Sequence, residues 1–193
     1  MRCPAERVSG TPARRPSVRV CLTGHLLTAF VAPRIRPIGA ERLPDLQPLW
    51  LALHDHHSQV PARLQSLRER VRERSWPRRQ AIYAHYLSQP GSFCLLADLD
   101  RPVGYAMVWL GNGLCVGAAA EQLAYLVSLS VLEEHRGHGI GRLLLERVEH
   151  HARRSGVRQL MLGMRPGNER ALRFYRAAGM REVHPGTLAK AIA

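Results

Sequence analysis

At 193 residues the chain can bury one full core but is too short for two enzymatic domains with linkers. Apolar residues at 46% and charged residues at 22% exclude wholesale disorder, and no apolar run approaches the ~20 residues of a membrane span. The formal charge, 28 − 15 = +13, would attract polyanions, but the basic residues are spread along the chain and all except Lys190 are arginine. That pattern reads as a solvated surface rather than a dedicated nucleic-acid face.

Residues 1–33 are rich in Arg, Pro, Ser, Gly and Thr and lack sustained periodicity, so they are expected to form a flexible extension ahead of a domain at 34–193. Within the extension, Val20 to Ala32 resembles a weak signal-peptide core, but His25 and Thr28 interrupt it and secretion is not expected. Cys3, Cys21, Cys94 and Cys115 are far apart and form no Cys-x-x-Cys pair. This suits a reducing, cytoplasmic setting and indicates neither a zinc site nor a disulfide framework.

From Arg34 the elements follow in order. Arg34 to Ile38 is a short strand. Leu43, Leu46, Leu49, Trp50 and Leu53 recur at helical spacing, with Pro44 in the first turn. A second helical stripe of Leu64, Leu67 and Val71 is predicted to be interrupted by Pro77, with a further helical piece over Arg78 to Leu87 before the turn Gln89-Pro90-Gly91. Phe93 to Ala97 and Val103 to Leu110 form a hairpin across Asp98 to Pro102, and Gly111 to Ala120 is a Gly- and Ala-rich connection. Then come a long strand from Glu121 to Val131, a helix from Ile140 to Ser155, a strand from Val157 to Met164, a helix from Asn168 to Ala178 and a last strand around Met180 to His184. This order predicts an α+β fold with a mixed sheet and a right-handed crossover between the strands at 121 and 157.

Chemistry concentrates where the long strand turns into a helix. Gly137, Gly139 and Gly141 alternate there, leaving room for a ligand beside the free N–H groups of a helical first turn, which is an anion site. Ile140, Leu143, Leu144, Val148 and Ala152 give the helix an apolar face, with Gly156 at its C-terminal cap. A dinucleotide fingerprint is excluded because Arg142 stands where its third glycine belongs. A phosphate-binding loop of the Gly-Lys-Ser/Thr kind is excluded because Gly141 is followed by Arg142-Leu143.

Two segments together resemble the GNAT acetyltransferases. Arg136-Gly137-His138-Gly139-Ile140-Gly141 is similar to that family's Arg/Gln-x-x-Gly-x-Gly/Ala, after a strand ending Leu129-Ser130-Val131. Asn168-Glu169-Arg170-Ala171-Leu172-Arg173-Phe174-Tyr175-Arg176-Ala177-Ala178-Gly179-Met180 resembles its Asn-x-x-Ala-x-x-Phe-Tyr-x-x-x-Gly-Phe. The resemblance implies a GNAT fold, a mostly antiparallel mixed sheet flanked by helices, whose central strands at 121–131 and 157–164 splay apart. It further implies acetyl-CoA as cosubstrate, its pyrophosphate on the amides of Gly137 to Arg142 and its pantetheine arm on the edge of Leu129 to Val131. Asn168 would contact the cofactor and Tyr175 would protonate the departing thiolate. The acceptor would be an amine, and dimers are common in such enzymes. The Arg136 side chain is expected to matter less than its backbone.

Other readings stand beside these. Asn168 is also a good helix N-cap, and Tyr175 shares helical spacing with Ala171, Leu172 and Ala178, as a core residue would. The acidic residue that ribosomal-protein acetyltransferases carry in the strand before the asparagine aligns with Gly163, which disfavours that subclass. Glu121 is then the best carboxylate for a general base acting through water. His54-Asp55-His56-His57 is read as a polar helix end and no metal is expected; His150 and His151 are expected to face solvent. A CoA-binding domain without transfer activity and a basic nucleic-acid-binding protein are the alternatives to an enzyme.

Overall fold

The computed structural model describes residues 32–59, 72–112 and 122–192. The predicted extension over residues 1–33, apart from Ala32 and Pro33, lies outside the described residues, as do the stripe Leu64, Leu67 and Val71, the connection after Asn112 and Glu121.

Seven strands form one open sheet in the order β1-β2-β3-β4-β5-β7-β6: β1 Arg34–Ile38, β2 Phe93–Asp98, β3 Pro102–Asn112, β4 Gln122–Val131, β5 Gln159–Gly163, β6 Arg181–His184 and β7 Thr187–Ala191. All neighbours are antiparallel except β4 and β5. Among the described residues four α-helices accompany the sheet: α1 Gln47–Gln59, preceded by a 3₁₀ turn over Ala40–Leu46, α2 Arg72–Leu87, α3 Ile140–Arg154 and α4 Glu169–Ala177.

Alternation along the central strands splits the core in two. Cys94, Leu96, Tyr105 and Met107 pack with Leu43, Leu46, Leu49, Trp50, Trp76 and Tyr83 from the α1 and α2 side. Phe93, on the other face, meets His151 of α3 with ring centroids 4.3 Å apart, so His151 is half-buried rather than solvent-facing and its basicity is lowered, first by desolvation and then by Arg154 and His150. Every residue of β2 up to Ala97 is buried because helices cover both faces of that strand.

Two predicted elements differ in the structure. Helix α2 runs through Pro77 instead of breaking there. A proline removes one backbone donor and crowds the preceding turn, but here Trp76 and Tyr83 anchor the helix on either side of it, 4% and 0% exposed. The chain also does not end its sheet at His184. Pro185 and Gly186, the latter at φ +75°, turn it back into β7, which inserts between β5 and β6. Buried Leu188 fills the gap, while β6, exposed at all four positions and bearing Arg181, Glu182 and His184, makes a charged edge.

The single lysine closes this end of the fold. Lys190 Nζ on β7 donates to Glu149 Oε1 of α3 at 2.8 Å and to the Ala178 carbonyl after α4 at 2.9 Å. Glu149 is 9% exposed and also lies 3.8 Å from Arg153. Replacing the ammonium by a methyl group strands a nearly buried carboxylate, so Lys190→Met should lower unfolding free energy by about 1–3 kcal/mol. Glu149→Gln in the same background should recover part of that loss, as read by urea denaturation.

Candidate functional site

Among the described residues, the only parallel pairing in the sheet is also its shortest. β4 and β5 match at Ala124 with Leu160 and Tyr125 with Met161, and nowhere beyond. Past that point β4 continues to Val131 alongside β3, with an extra residue, Val127, between the pairs Met107–Ser128 and Val108–Leu126. Such a bulge increases local twist. β5 meanwhile keeps a five-residue antiparallel ladder with β7, and the Met164 N–H donates to the Gly186 carbonyl at 2.7 Å. The two strands are therefore drawn apart, and the splay expected over 121–131 and 157–164 is present.

A cavity of about 410 Å³ opens between them. Its walls are Leu126 to Val131 of β4, the bend from His135 to Arg142 apart from His138, Leu162 to Arg165, Asn168 at the N-cap of α4 with Phe174 and Tyr175 along that helix, and Leu53, His56 and His57 of α1. Leu129, Ser130, Val131, Arg136, Gly137, Gly139, Ile140, Gly141, Arg142, Asn168 and Tyr175 thus converge on one space; His138 is exposed and does not line it. His56 and His57 belong to the helix end that the sequence singled out as polar, whereas Leu53 and Arg165 were not read as site residues. For the histidines the signal was their position at the end of α1; Arg165 carried none.

The back of β4 is held by buried hydroxyls. Tyr83 donates to Ser128 Oγ at 2.7 Å and lies 3.0 Å from the Tyr105 hydroxyl, while Ser130 Oγ donates to the Leu49 carbonyl at 3.1 Å. Burial pushes Tyr83 up to about 12 and Tyr105 well above the usual phenol range, so both act as neutral hydrogen-bonding groups. The front edge of β4 beyond Tyr125 has no neighbouring strand among the described residues.

The bend is built on glycine. Gly137 and Gly139 have φ of +81° and +79°, a region that side chains disfavour, and a Cβ at either would meet nothing within 4 Å. Gly139 is the N-cap of α3 and supplies no side-chain cap, and the Leu143 N–H is the first to reach back, to its carbonyl. The N–H groups of Ile140, Gly141 and Arg142 are thus available to an anion at the positive end of the helix. Arg136 does more than its backbone alone: its Nε donates to the Val131 carbonyl at 3.0 Å and ties the bend to the strand end.

On the opposite wall Asn168 is 8% exposed and accepts a hydrogen bond from the Ala171 N–H at 3.1 Å, so the capping role is realised while the residue lines the cavity. Tyr175 is 9% exposed, and burial raises its pKa far above the ordinary value, leaving a neutral phenol that can donate. At Gly163, where the acid is missing on β5, a Cβ would stand 2.6 Å from the Tyr125 hydroxyl, the far end of a half-buried side chain.

At the α1 end, His57 is depressed to about 4, first by desolvation, then by Arg165, His56, His54 and Arg79. Arg165 Nη1 donates to the His57 carbonyl at 3.0 Å, bridging the slot. Among the described residues no group of three or more His, Cys, Asp or Glu could hold a metal ion, and no helix is long and apolar enough to cross a membrane.

Gly139→Ala places a side chain at positive φ and should cost about 1 kcal/mol. Gly141→Ala, whose Cβ would meet Phe174 at an ordinary 3.5 Å within a helix, should be neutral or stabilising by up to about 1 kcal/mol in the same denaturation assay. Because folding lowers the His57 pKa, the unfolded chain binds the extra proton between pH ~6.5 and ~4. Stability contributed by this group is present above pH ~6.5 and lost as pH falls towards 4, and His57→Gln should flatten that part of the stability profile.

Comparison with known proteins agrees with the fold. The model of the acetyltransferase (GNAT) family matches residues 54–180. A mutant form of a Bacillus halodurans protein superposes with a TM-score of 0.65 at 23% identity, covering 78% of this chain and 94% of its own. The PaiA N-acetyltransferase of Thermoplasma acidophilum, in complex with coenzyme A, gives 0.63 at 15% identity, covering 83% and 99%. An aminoglycoside acetyltransferase from an uncultured soil metagenomic sample gives 0.56 at 18%, covering 79% and 93%. No curated protein matches the sequence. With its splayed parallel pair, its glycine bend and a family match over most of the domain, this chain belongs to the GNAT acetyltransferase family.

Proposed function

We propose that the protein is an N-acetyltransferase that moves the acetyl group of acetyl-CoA to a primary amine by direct attack. The observation that carries this reading is the convergence of three features on one cavity: the open edge of β4, the left-handed glycine bend at α3 and the buried Tyr175. Coenzyme A fits these residues, because a diphosphate matches amides at a helix N-terminus flanked by Arg142, and an extended amide-bearing arm matches a strand edge without a neighbour.

In this reading Gly137 to Arg142, with Arg136 holding their bend, grip the pyrophosphate, and Leu129 to Val131 orient the pantetheine arm as an added strand. Asn168 closes the other side. The thioester supplies an electrophilic carbonyl, and a backbone N–H on the β4 edge polarises it. The neutral amine attacks, its surplus proton passes through water to Glu121 as the proposed base, and the Tyr175 hydroxyl gives its proton to the departing sulfur. Burial keeps the Tyr175 phenol protonated at neutral pH, so a proton donor stands ready when the thiolate departs. The acceptor belongs at the α1 end of the slot, and a cytoplasmic enzyme with no metal requirement is the corresponding setting.

Tyr175→Phe tests both the reaction and the residue. Turnover, followed as thiol release from acetyl-CoA, should fall by about 10²-fold or more, while calorimetric affinity for CoA changes less than about threefold. Parallel loss of affinity and rate would remove the acid role. Unchanged turnover would do the same.

A further inference from the structure

The acceptor end of the cavity has a chemistry of its own. Leu53, His56 and His57 of α1 face Arg165 across the slot, and among the described lining residues none is an aspartate or glutamate. Asp55, between the histidines in sequence, does not line the space; it lies 3.7 Å from His54 Nδ1. Arg79 of α2, stacked over the Trp50 ring at 4.2 Å, adds a further cation behind the wall.

A second ammonium on the acceptor would meet this field with no carboxylate among the described lining residues to receive it, whereas an anion would be drawn in. Arg165 spends one N–H on the His57 carbonyl, and the rest of its five-donor fork is free to bind a ligand. His57, held neutral by the same burial and cations, adds hydrogen-bonding capacity without charge. One guanidinium beside a neutral imidazole matches a monoanion better than a phosphate dianion, which gathers several cations or helix-end amides.

We propose that Arg165, with His56 and His57, binds a carboxylate carried by the acceptor, so that the enzyme acetylates amines of the amino-acid type and not polyamines or aminoglycosides. This rests on the acetyl-transfer reading above. The same positive surroundings favour the uncharged form of the acceptor amine, the form that attacks. The step balances: the nitrogen lone pair forms the amide bond, the C–S bond breaks, the proton leaves nitrogen and the thiolate takes a proton.

The experiment uses the full chain with saturating acetyl-CoA and matched acceptors: free L-amino acids against their amides, with spermidine, kanamycin and phosphoethanolamine alongside. The carboxylate member of each pair that reacts should exceed its amide by at least about tenfold in kcat/KM. Arg165→Gln should erase that preference and Arg165→Lys should keep part of it, both binding CoA as the parent does. Calorimetry of the CoA complex with N-acetyl amino acids and N-acetyl amino-acid amides reads the same preference at equilibrium, without turnover. Amides, spermidine, kanamycin or phosphoethanolamine equalling the free amino acids, equal binding of the two acetylated series, or a preference untouched by Arg165→Gln would each overturn the proposal. Failure to bind CoA at all would instead remove the proposed function beneath it.

Discussion

Everything at this site depends on two neighbouring strands being prevented from pairing along their full length. A parallel ladder between β4 and β5 would satisfy the backbone groups of both and close the sheet. Instead the pairing stops at Tyr125 and Met161. The bulge at Val127 turns β4 one way, and the complete β5–β7 ladder holds β5 the other. Exposed backbone donors and acceptors are costly inside a protein, and the pantetheine arm proposed above would pair with this edge left open in the middle of the seven-stranded sheet.

Keeping that edge open requires a stiff support behind it. The Tyr83, Tyr105 and Ser128 hydroxyls and the bond from Ser130 to the Leu49 carbonyl fasten β4 to α1, α2 and β3. Buried polar groups of this kind are favourable only when satisfied, which makes the network specific about where β4 lies. On the far side, Lys190 joins α3, α4 and β7 through Glu149 and the Ala178 carbonyl, so the helix that presents the glycine bend and the helix that carries Tyr175 are tied to the same strand.

The electrostatics of the slot follow the same division. Helix α3 offers amides and Arg142 at one end, and Arg165 stands with the α1 histidines at the other. The high net charge of the chain therefore has two local expressions within the cavity, each suited to an anionic group. The depressed His57 is a sensitive reporter of the second, since its basicity is lowered by burial and by Arg165, His56, His54 and Arg79 acting together.

Much of the fold and of the glycine-bend side of the cavity was legible in the residues themselves, because both depend on local rules. Three alternating glycines before an amphipathic helix, an asparagine at an N-cap and a Phe-Tyr pair one turn before a glycine can be read along a single stretch of chain, and β1 to β5, α3 and α4 fall close to where periodicity puts them. Tertiary packing decided the rest. The proline inside α2 is tolerated because Trp76 and Tyr83 are buried on either side of it, and β7, a short run of Thr, Leu, Ala and Lys with little strand propensity of its own, exists because β5 and β6 pair with it on both sides. The α1 end of the slot joins residues 108 positions apart, Arg165 and His57, through one hydrogen bond. Local spacing cannot encode such a meeting; only the burial of α1 against β4, and the separation of β4 from β5, brings those side chains to one space.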